Sequence, residues 1–326
     1  MRVVQFNEFG GIQALHLQEV DPPRPGPGEV LIRPTAVGLN FFDTLVLRDK
    51  YQISPPLPFS PGAEVAGPVE ALGEGVTDLE VGQRVVAFIG GNGCREQIVT
   101  KAKNAIPIPE GVSDDVAASI VITYGTALHA FKDRAELKPG ETVAVLGASG
   151  GAGAAAVEVA KLMGARVIAV ASSEDKLAFA KAHGADEGVD YSAVDLKKEL
   201  KRLTVPTGVD VLYDCVGGDA AEPSLRAMAW EGRYLAVGFA SGQIPRIPLN
   251  LVLLKGCEIV GVFWTSFVER EPETHRANTA QILQWCNEGK IVPHIHETFP
   301  LAETAKALAL IEGRKVTGKV VVHPQD

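Results

Sequence analysis

The stretch Thr142–Ala165, TVAVLGASGGAGAAAVEVAKLMGA, restricts the possible folds of this chain more than any other segment. A continuous apolar run ends at Leu146, a glycine-dense turn follows, and an alanine-rich helical pattern begins. An uninterrupted apolar run of strand length suits a strand buried on both faces, as in a parallel sheet with helices on either side. The same alternation continues downstream. Strands are predicted at TVAVLG, ARVIAVA, GVDVLYDC, GRYLAVGF and CEIVGVF, with helices at Gly151–Met163, Glu174–His183, Leu196–Leu203 and Ala220–Trp230. This alternation predicts an α/β fold built on a doubly wound parallel sheet of the Rossmann kind. Two further helices, around Thr274–Glu288 and Leu301–Glu312, precede an apolar run GKVVVH, expected to return as a strand to the N-terminal region.

Up to about Glu110 the character differs. Gly and Pro clusters (DPPRPGPGEV, SPPLPFSPG, IPIPEGV) punctuate short alternating runs such as EVLIRPTAV and QRVVAFI, the pattern of a β-rich region. The expected organisation is a β-rich domain over 1–123, the parallel-sheet domain over 124–264, and a return to the first domain over 265–326.

The formal net charge of -9 argues against a sequence-independent grip on nucleic acid or an anionic membrane surface. The most apolar window, Val143–Val170, is broken by glycines, Glu158, Lys161 and Arg166, so a membrane span is not expected. MRVVQFNEFGG carries no apolar core of a secretory signal, and Cys94, Cys215, Cys257 and Cys286 are scattered without a CxxC. A cytoplasmic location with free thiols is expected.

The glycine turn supports two chemistries. Ala148, Gly150 and Gly153 match GxGxxG with Ala in the first place. Glycines there let backbone approach a pyrophosphate, while the helix start offers unpaired N–H groups at Gly151 and Ala152. Gly147-Ala148-Ser149-Gly150-Gly151 also fits GxSxG, the nucleophile elbow of a serine hydrolase, with Asp214 and His294 following in the appropriate order. The small residues running on through Ala156 favour the nucleotide reading. At the tip of the second strand, Ser172 and Ser173 replace the carboxylate that binds an NAD ribose, and Lys176 lies one turn into the next helix. Small donors with a nearby cation suit a 2′-phosphate, so NADP is favoured over NAD. Ser173 equally suits a helix N-cap.

Taken in order, GPGEVLIRPTAVGLNFFDTLVLRDKY, PFSPGAEVAGPVEALGEGV, VITYGTALHA, the glycine stretch with ARVIAVASSEDK, GADEGVDY, YDCVGG, VGFASG and TGKVVV resemble the medium-chain dehydrogenase/reductase superfamily. Within it the chain is similar to the zinc-independent quinone oxidoreductases related to zeta-crystallin. That resemblance implies a GroES-like β-rich catalytic domain, a Rossmann NADPH-binding domain, an active site in the cleft between them, and a homodimer. It places Lys176, Tyr191 and Arg314 at the 2′-phosphate. Ser149, Gly150, Gly151, Ala152 and Ser172 fall on the dinucleotide loops, and Thr126, Val216, Phe239, Ala240, Ser241 and Phe263 beside the nicotinamide and its ribose.

Zinc enzymes of the superfamily carry a cysteine where GLNFFDT has Asn40 and a histidine where GAEVAG has Ala63. Neither an amide nor a methyl replaces such ligands. The expected chemistry is therefore NADPH-dependent reduction of a quinone, or of an activated C=C bond such as that of an enal or enoyl thioester, with no zinc and no flavin. The resemblance places Asn40 and Tyr51 near the nicotinamide and substrate, each either as a donor to the acceptor oxygen or as a group orienting the ring. Phe42 and Trp264 are expected as apolar wall, Glu64 as a structural residue.

Overall fold

The computed structural model describes residues 1–326. Contacts divide the chain into two units, Met1–Ile122 with Arg276–Asp326, and Thr123–His275.

In the second unit the five predicted strands form, and a sixth over Glu187–Asp190, not predicted from the sequence, joins them: β1 (Thr142–Leu146), β2 (Arg166–Ala171), β3 (Glu187–Asp190), β4 (Val209–Asp214), β5 (Met228–Ala236) and β6 (Glu258–Gly261). All neighbours pair in parallel, in the order β3-β2-β1-β4-β5-β6. This is the Rossmann order, in which the chain reverses direction between β1 and β4 and leaves a crevice at the strand ends. Three helices follow the first strands: α1 (Gly151–Leu162), α2 (Glu174–Ala182) and α3 (Leu196–Thr204). Two of their starts follow capping chemistry, since Ser173 accepts from the Lys176 N–H and Asp195 from the Lys198 N–H. The sheet core is aliphatic, with Leu146, Ile168, Val170, Val189 and Leu212 buried between the helical layers.

One helix predicted from the sequence is corrected. Ala220–Trp230 is helical only over Ala221–Leu225, and Met228 already pairs with Val209 in the sheet. The alanines favour a helix, but pairing along β4's open edge takes the backbone beyond Ala227.

In the first unit, strand Ala36–Leu39 pairs antiparallel with Glu64–Leu72 on one side and with Lys319–His323 on the other. The expected return of GKVVVH to the N-terminal sheet is observed. Its register sets Gly38 against both Glu64 and Val321, and Leu39 against Val320. Gly38 permits this closeness. A Cβ there would fall 1.9 Å from the Ala118 carbonyl oxygen and 2.8 Å from Glu64 Cγ.

His275, at the end of the second unit, is buried against the Trp264 ring, and burial lowers its pKa to about 4. The unfolded chain binds that proton near the ordinary value of 6.5, so stability is full above 6.5 and is lost as pH falls toward 4. The difference corresponds to roughly 3 kcal/mol. Asp43 has the opposite sign. Burial raises it from 3.8 to about 6, so its contribution is present below 3.8 and lost as pH rises through 6. Urea midpoints at pH 7 and pH 5 should therefore show a smaller acid loss in His275→Gln than in the wild type. An equal loss would rule out His275 as its source.

Candidate functional site

The glycine loop is shaped by contacts that only glycine allows. Gly147 has φ +71°, and a Cβ on Gly153 would lie 2.1 Å from the Gly147 carbonyl oxygen. Backbone therefore touches backbone where β1 turns into α1. Gly150 is the N-cap and no side chain caps the helix, so the first N–H groups of α1 are left to point outward. That arrangement suits a pyrophosphate. Ser149 is buried beneath the loop.

At the tip of β2, Lys176 Nζ donates to Ser172 Oγ at 3.1 Å. The Tyr191 N–H donates to the Ala171 carbonyl at 3.1 Å, and the Tyr191 side chain is 40% exposed. Ser172, Lys176 and Tyr191 thus gather at adjacent strand ends, where the one neighbouring carboxylate at the tip of β3, Asp190, is taken by the Ser192 N–H and hydroxyl. The loops after β4 and β5 are fastened together, since the Ala240 N–H bonds Cys215 O and the Ser241 N–H bonds Val216 O. Phe239 is partly exposed beside them. A cavity of about 880 Å³ opens beside these loops, lined by Tyr191, Lys197, Val216, Gly217, Ser241 and Arg246. Its size is that of a small-molecule site at the carboxyl ends of parallel strands. Sequence reasoning did not single out Lys197, one of several cations in LKKELKRL, or Arg246, which stands in the proline-bounded IPRIP. Thr126 is buried in the helix Thr123–Leu128, and Phe263 precedes the helix Trp264–Arg270 and is 47% exposed. Trp264 packs on Gly125, whose added Cβ would meet the indole at 3.1 Å.

The hydrolase reading loses its acid. Asp214 is buried, its Oδ1 accepts from the Val216 and Gly217 N–H groups at 2.8 Å each, and its Oδ2 accepts from the Tyr234 hydroxyl. Both oxygens are thus engaged by β4's own turn and by Tyr234, and no imidazole is among their partners. His294 belongs to the other unit.

Asn40, Tyr51 and Arg314 also belong to that other unit. Arg314 lies just past the helix Thr304–Glu312 with φ +54°. Tyr51 stacks at a tilt on Phe42, centroids 5.3 Å apart. Asn40 caps the helix Phe41–Val46, and its carboxamide is part of a buried polar cluster. Asn40 Nδ2 donates to Glu64 Oε1 at 2.9 Å, and Lys319 Nζ donates to Asn40 Oδ1 at 2.7 Å and to Glu64 Oε1 at 2.7 Å. Lys319 Nζ also reaches the Leu39 carbonyl at 3.0 Å. Glu64 Oε2 accepts from the Ile122 N–H at 3.0 Å. Asp43 beside it accepts from the Asn40 and Gly62 N–H groups, and burial holds its pKa up at about 6. The cluster has few donors for a soft metal: an amide oxygen, a carboxylate and, opposite them, an ammonium. Lys319 escaped sequence reasoning, although a lysine inside the apolar run GKVVVH is itself the signal, because a buried ammonium needs partners.

A Rossmann sheet with a glycine-loop nucleotide site, carried in one chain with a GroES-like β unit, defines a dehydrogenase or reductase of the medium-chain type. Family models agree. Residues 151–283 match "Zinc-binding dehydrogenase", and 26–110 match "Alcohol dehydrogenase GroES-like domain". Rat quinone oxidoreductase-like protein 2 is 41% identical over 311 residues, spanning 95% of this chain and 89% of the relative. Escherichia coli quinone oxidoreductase complexed with NADPH superposes with a TM-score of 0.91 at 27% identity, covering 99% of this chain and 100% of that one. An NAD-dependent alcohol dehydrogenase superposes with a TM-score of 0.90 at 33% identity, covering 99% of each chain. The chain belongs to the quinone oxidoreductase family of the medium-chain dehydrogenase/reductase superfamily, and it is an oxidoreductase.

Proposed function

We propose that this protein transfers a hydride from NADPH to a quinone without zinc or flavin. The observation that carries the reading is the buried Lys319 ammonium, 2.7 Å from both Asn40 Oδ1 and Glu64 Oε1. A cation already balances Glu64 there, and a metal beside it would meet charge repulsion with no thiolate or imidazole to bind it. Without a Lewis acid, the substrate must be electron-poor before it binds, as a quinone is. NADPH, when bound, supplies the hydride. The chain's own residues suit it: the uncapped start of α1 for the pyrophosphate, and Ser172, Lys176 and Tyr191 for the 2′-phosphate. Arg314 is proposed as an additional cation for that phosphate. Thr126, Val216, Phe239, Ala240, Ser241 and Phe263 are proposed for the nicotinamide end.

No helix is long and apolar enough to cross a membrane. We take the protein to be cytoplasmic, consistent with four free cysteines. A homodimer is likewise proposed, supported by the unpaired edge of β6 and by Trp230, Leu249, Leu253 and Leu254, each more than two-thirds exposed.

Lys176→Ala tests the cofactor assignment. Wild-type protein is expected to bind NADPH at least about tenfold more tightly than NADH, the worth of one or two charge-assisted hydrogen bonds. The variant is expected to lose most of that margin through weaker NADPH binding, with NADH binding unchanged. Equal wild-type affinities in calorimetric titrations would refute the assignment.

A further inference from the structure

We propose that Lys319 and Glu64 are positioning residues that hold the Asn40 carboxamide in one orientation, so that it offers the substrate oxygen an N–H donor and never its own carbonyl. The proposal rests on the quinone reading and deepens it.

A carboxamide has two flip states of nearly equal shape, and only its hydrogen-bond partners choose between them. Here the choice is forced. Nδ2 faces a Glu64 oxygen at 2.9 Å and Oδ1 faces the Lys319 ammonium at 2.7 Å. The opposite flip would set an NH₂ against an ammonium and a carbonyl oxygen against a carboxylate.

The clamp is itself fully anchored. The three Lys319 protons go to Leu39 O, Asn40 Oδ1 and Glu64 Oε1, while Glu64 Oε2 is taken by the Ile122 N–H. Lys319 is 4% exposed and Glu64 fully buried, so water does not compete for these bonds. The Asn40 backbone is pinned as well, its N–H bonding Asp43 Oδ2 at 2.8 Å. Both anchors come from neighbouring strands whose register fixes their height, Glu64 opposite Gly38 and Val320 opposite Leu39. Within this network one N–H of Asn40 Nδ2 stays uncommitted, and Asn40 retains 8% exposure.

That leftover donor has a chemical consequence. Hydride arrival at a quinone forms the new bond to hydrogen and places the electron pair on a quinone oxygen; a proton from water then completes the hydroquinone. An N–H fixed beforehand toward that oxygen stabilises the charge as it develops, whereas a carbonyl would repel it. The clamp therefore selects acceptors in which an oxygen takes up the charge.

The test compares wild type with Glu64→Gln/Lys319→Met, which removes both charges at similar volume. Glu64→Gln alone is the second variant, since its single side-chain oxygen cannot accept from the Ile122 N–H and from Asn40 together. Three readouts are taken: thermal melting with NADPH titration, kcat with a quinone, and binding of p-nitrophenolate, whose absorbance reports its charge without turnover. In a variant that melts as a folded protein and binds NADPH normally, kcat is expected to fall about tenfold or more, with the pKa of bound p-nitrophenol returning toward its free value. A folded variant with unchanged kcat and an unchanged phenolate signal would overturn the proposal. Wild-type protein that shifts the phenolate but reduces no quinone would support the clamp and remove the quinone reading. Wild-type protein that reduces quinones but binds no phenolate would remove the clamp alone.

Discussion

Replacing Lys319 with Met is expected to destabilise the protein by about 3–5 kcal/mol, the range for breaking one half of a buried ion pair. The reason is what the substitution leaves behind. Glu64 is fully buried and its Oε1 would keep only the Asn40 amide as a partner. An uncompensated carboxylate buried in that position is costly to hold. The companion change Glu64→Gln/Lys319→Met removes both charges, and its stability is expected to return most of the way to the wild type. Chemical denaturation of the three proteins reads the effect. A single variant within about 1 kcal/mol of wild type would show that the pair does not act as a buried ion pair.

The second large effect is expected at Gly153→Ala. A methyl there meets the Gly147 carbonyl oxygen at 2.1 Å, the Gly147 carbonyl carbon at 2.7 Å and Ala148 Cα at 2.8 Å. All three are backbone atoms and none can rotate away, so the loop has to open. Opening displaces the N–H groups of α1 on the scale of an ångström, and NADPH binding is expected to fall by about 100-fold. Gly150→Ala is the control. Gly150 has φ −78° and its added methyl would meet nothing nearer than the Gly147 oxygen at 3.7 Å. This variant should melt like the wild type, so any loss of NADPH affinity measures how closely the ligand itself approaches Gly150. Equal affinity of Gly153→Ala and wild type would contradict the nucleotide site.

Where the sequence was informative, local chemistry and tertiary structure pointed the same way. TVAVL and RVIAVA are continuous apolar runs bounded by glycine or serine, and each is a central strand of the parallel sheet. Ser173, which the sequence offered as an N-cap, caps its helix in the structure. The short strand Glu187–Asp190 is harder to see because it has one buried apolar residue, Val189, and lies at the sheet edge. The helix over Ala220–Trp230 was overextended because an alanine-rich segment carries little information about where a neighbouring strand edge will capture it.

The polar cluster shows a different limit. Glu64 lies 24 residues from Asn40 and 255 from Lys319, and the three meet only through strand register. No local pattern encodes that meeting. GLNFFDT showed that a thiolate was missing, but not that an ammonium from the last strand, Lys319–His323, bonds the amide in its place.

The most direct test of the central claim is a set of initial rates for purified protein with NADPH and with NADH, against p-benzoquinone, a conjugated enal and an enoyl-CoA ester. The account predicts the highest kcat/KM for NADPH with the quinone, about tenfold or more above NADH with the same acceptor. Turnover of the enal or the thioester with little quinone reduction, or equal rates with NADH, would contradict it.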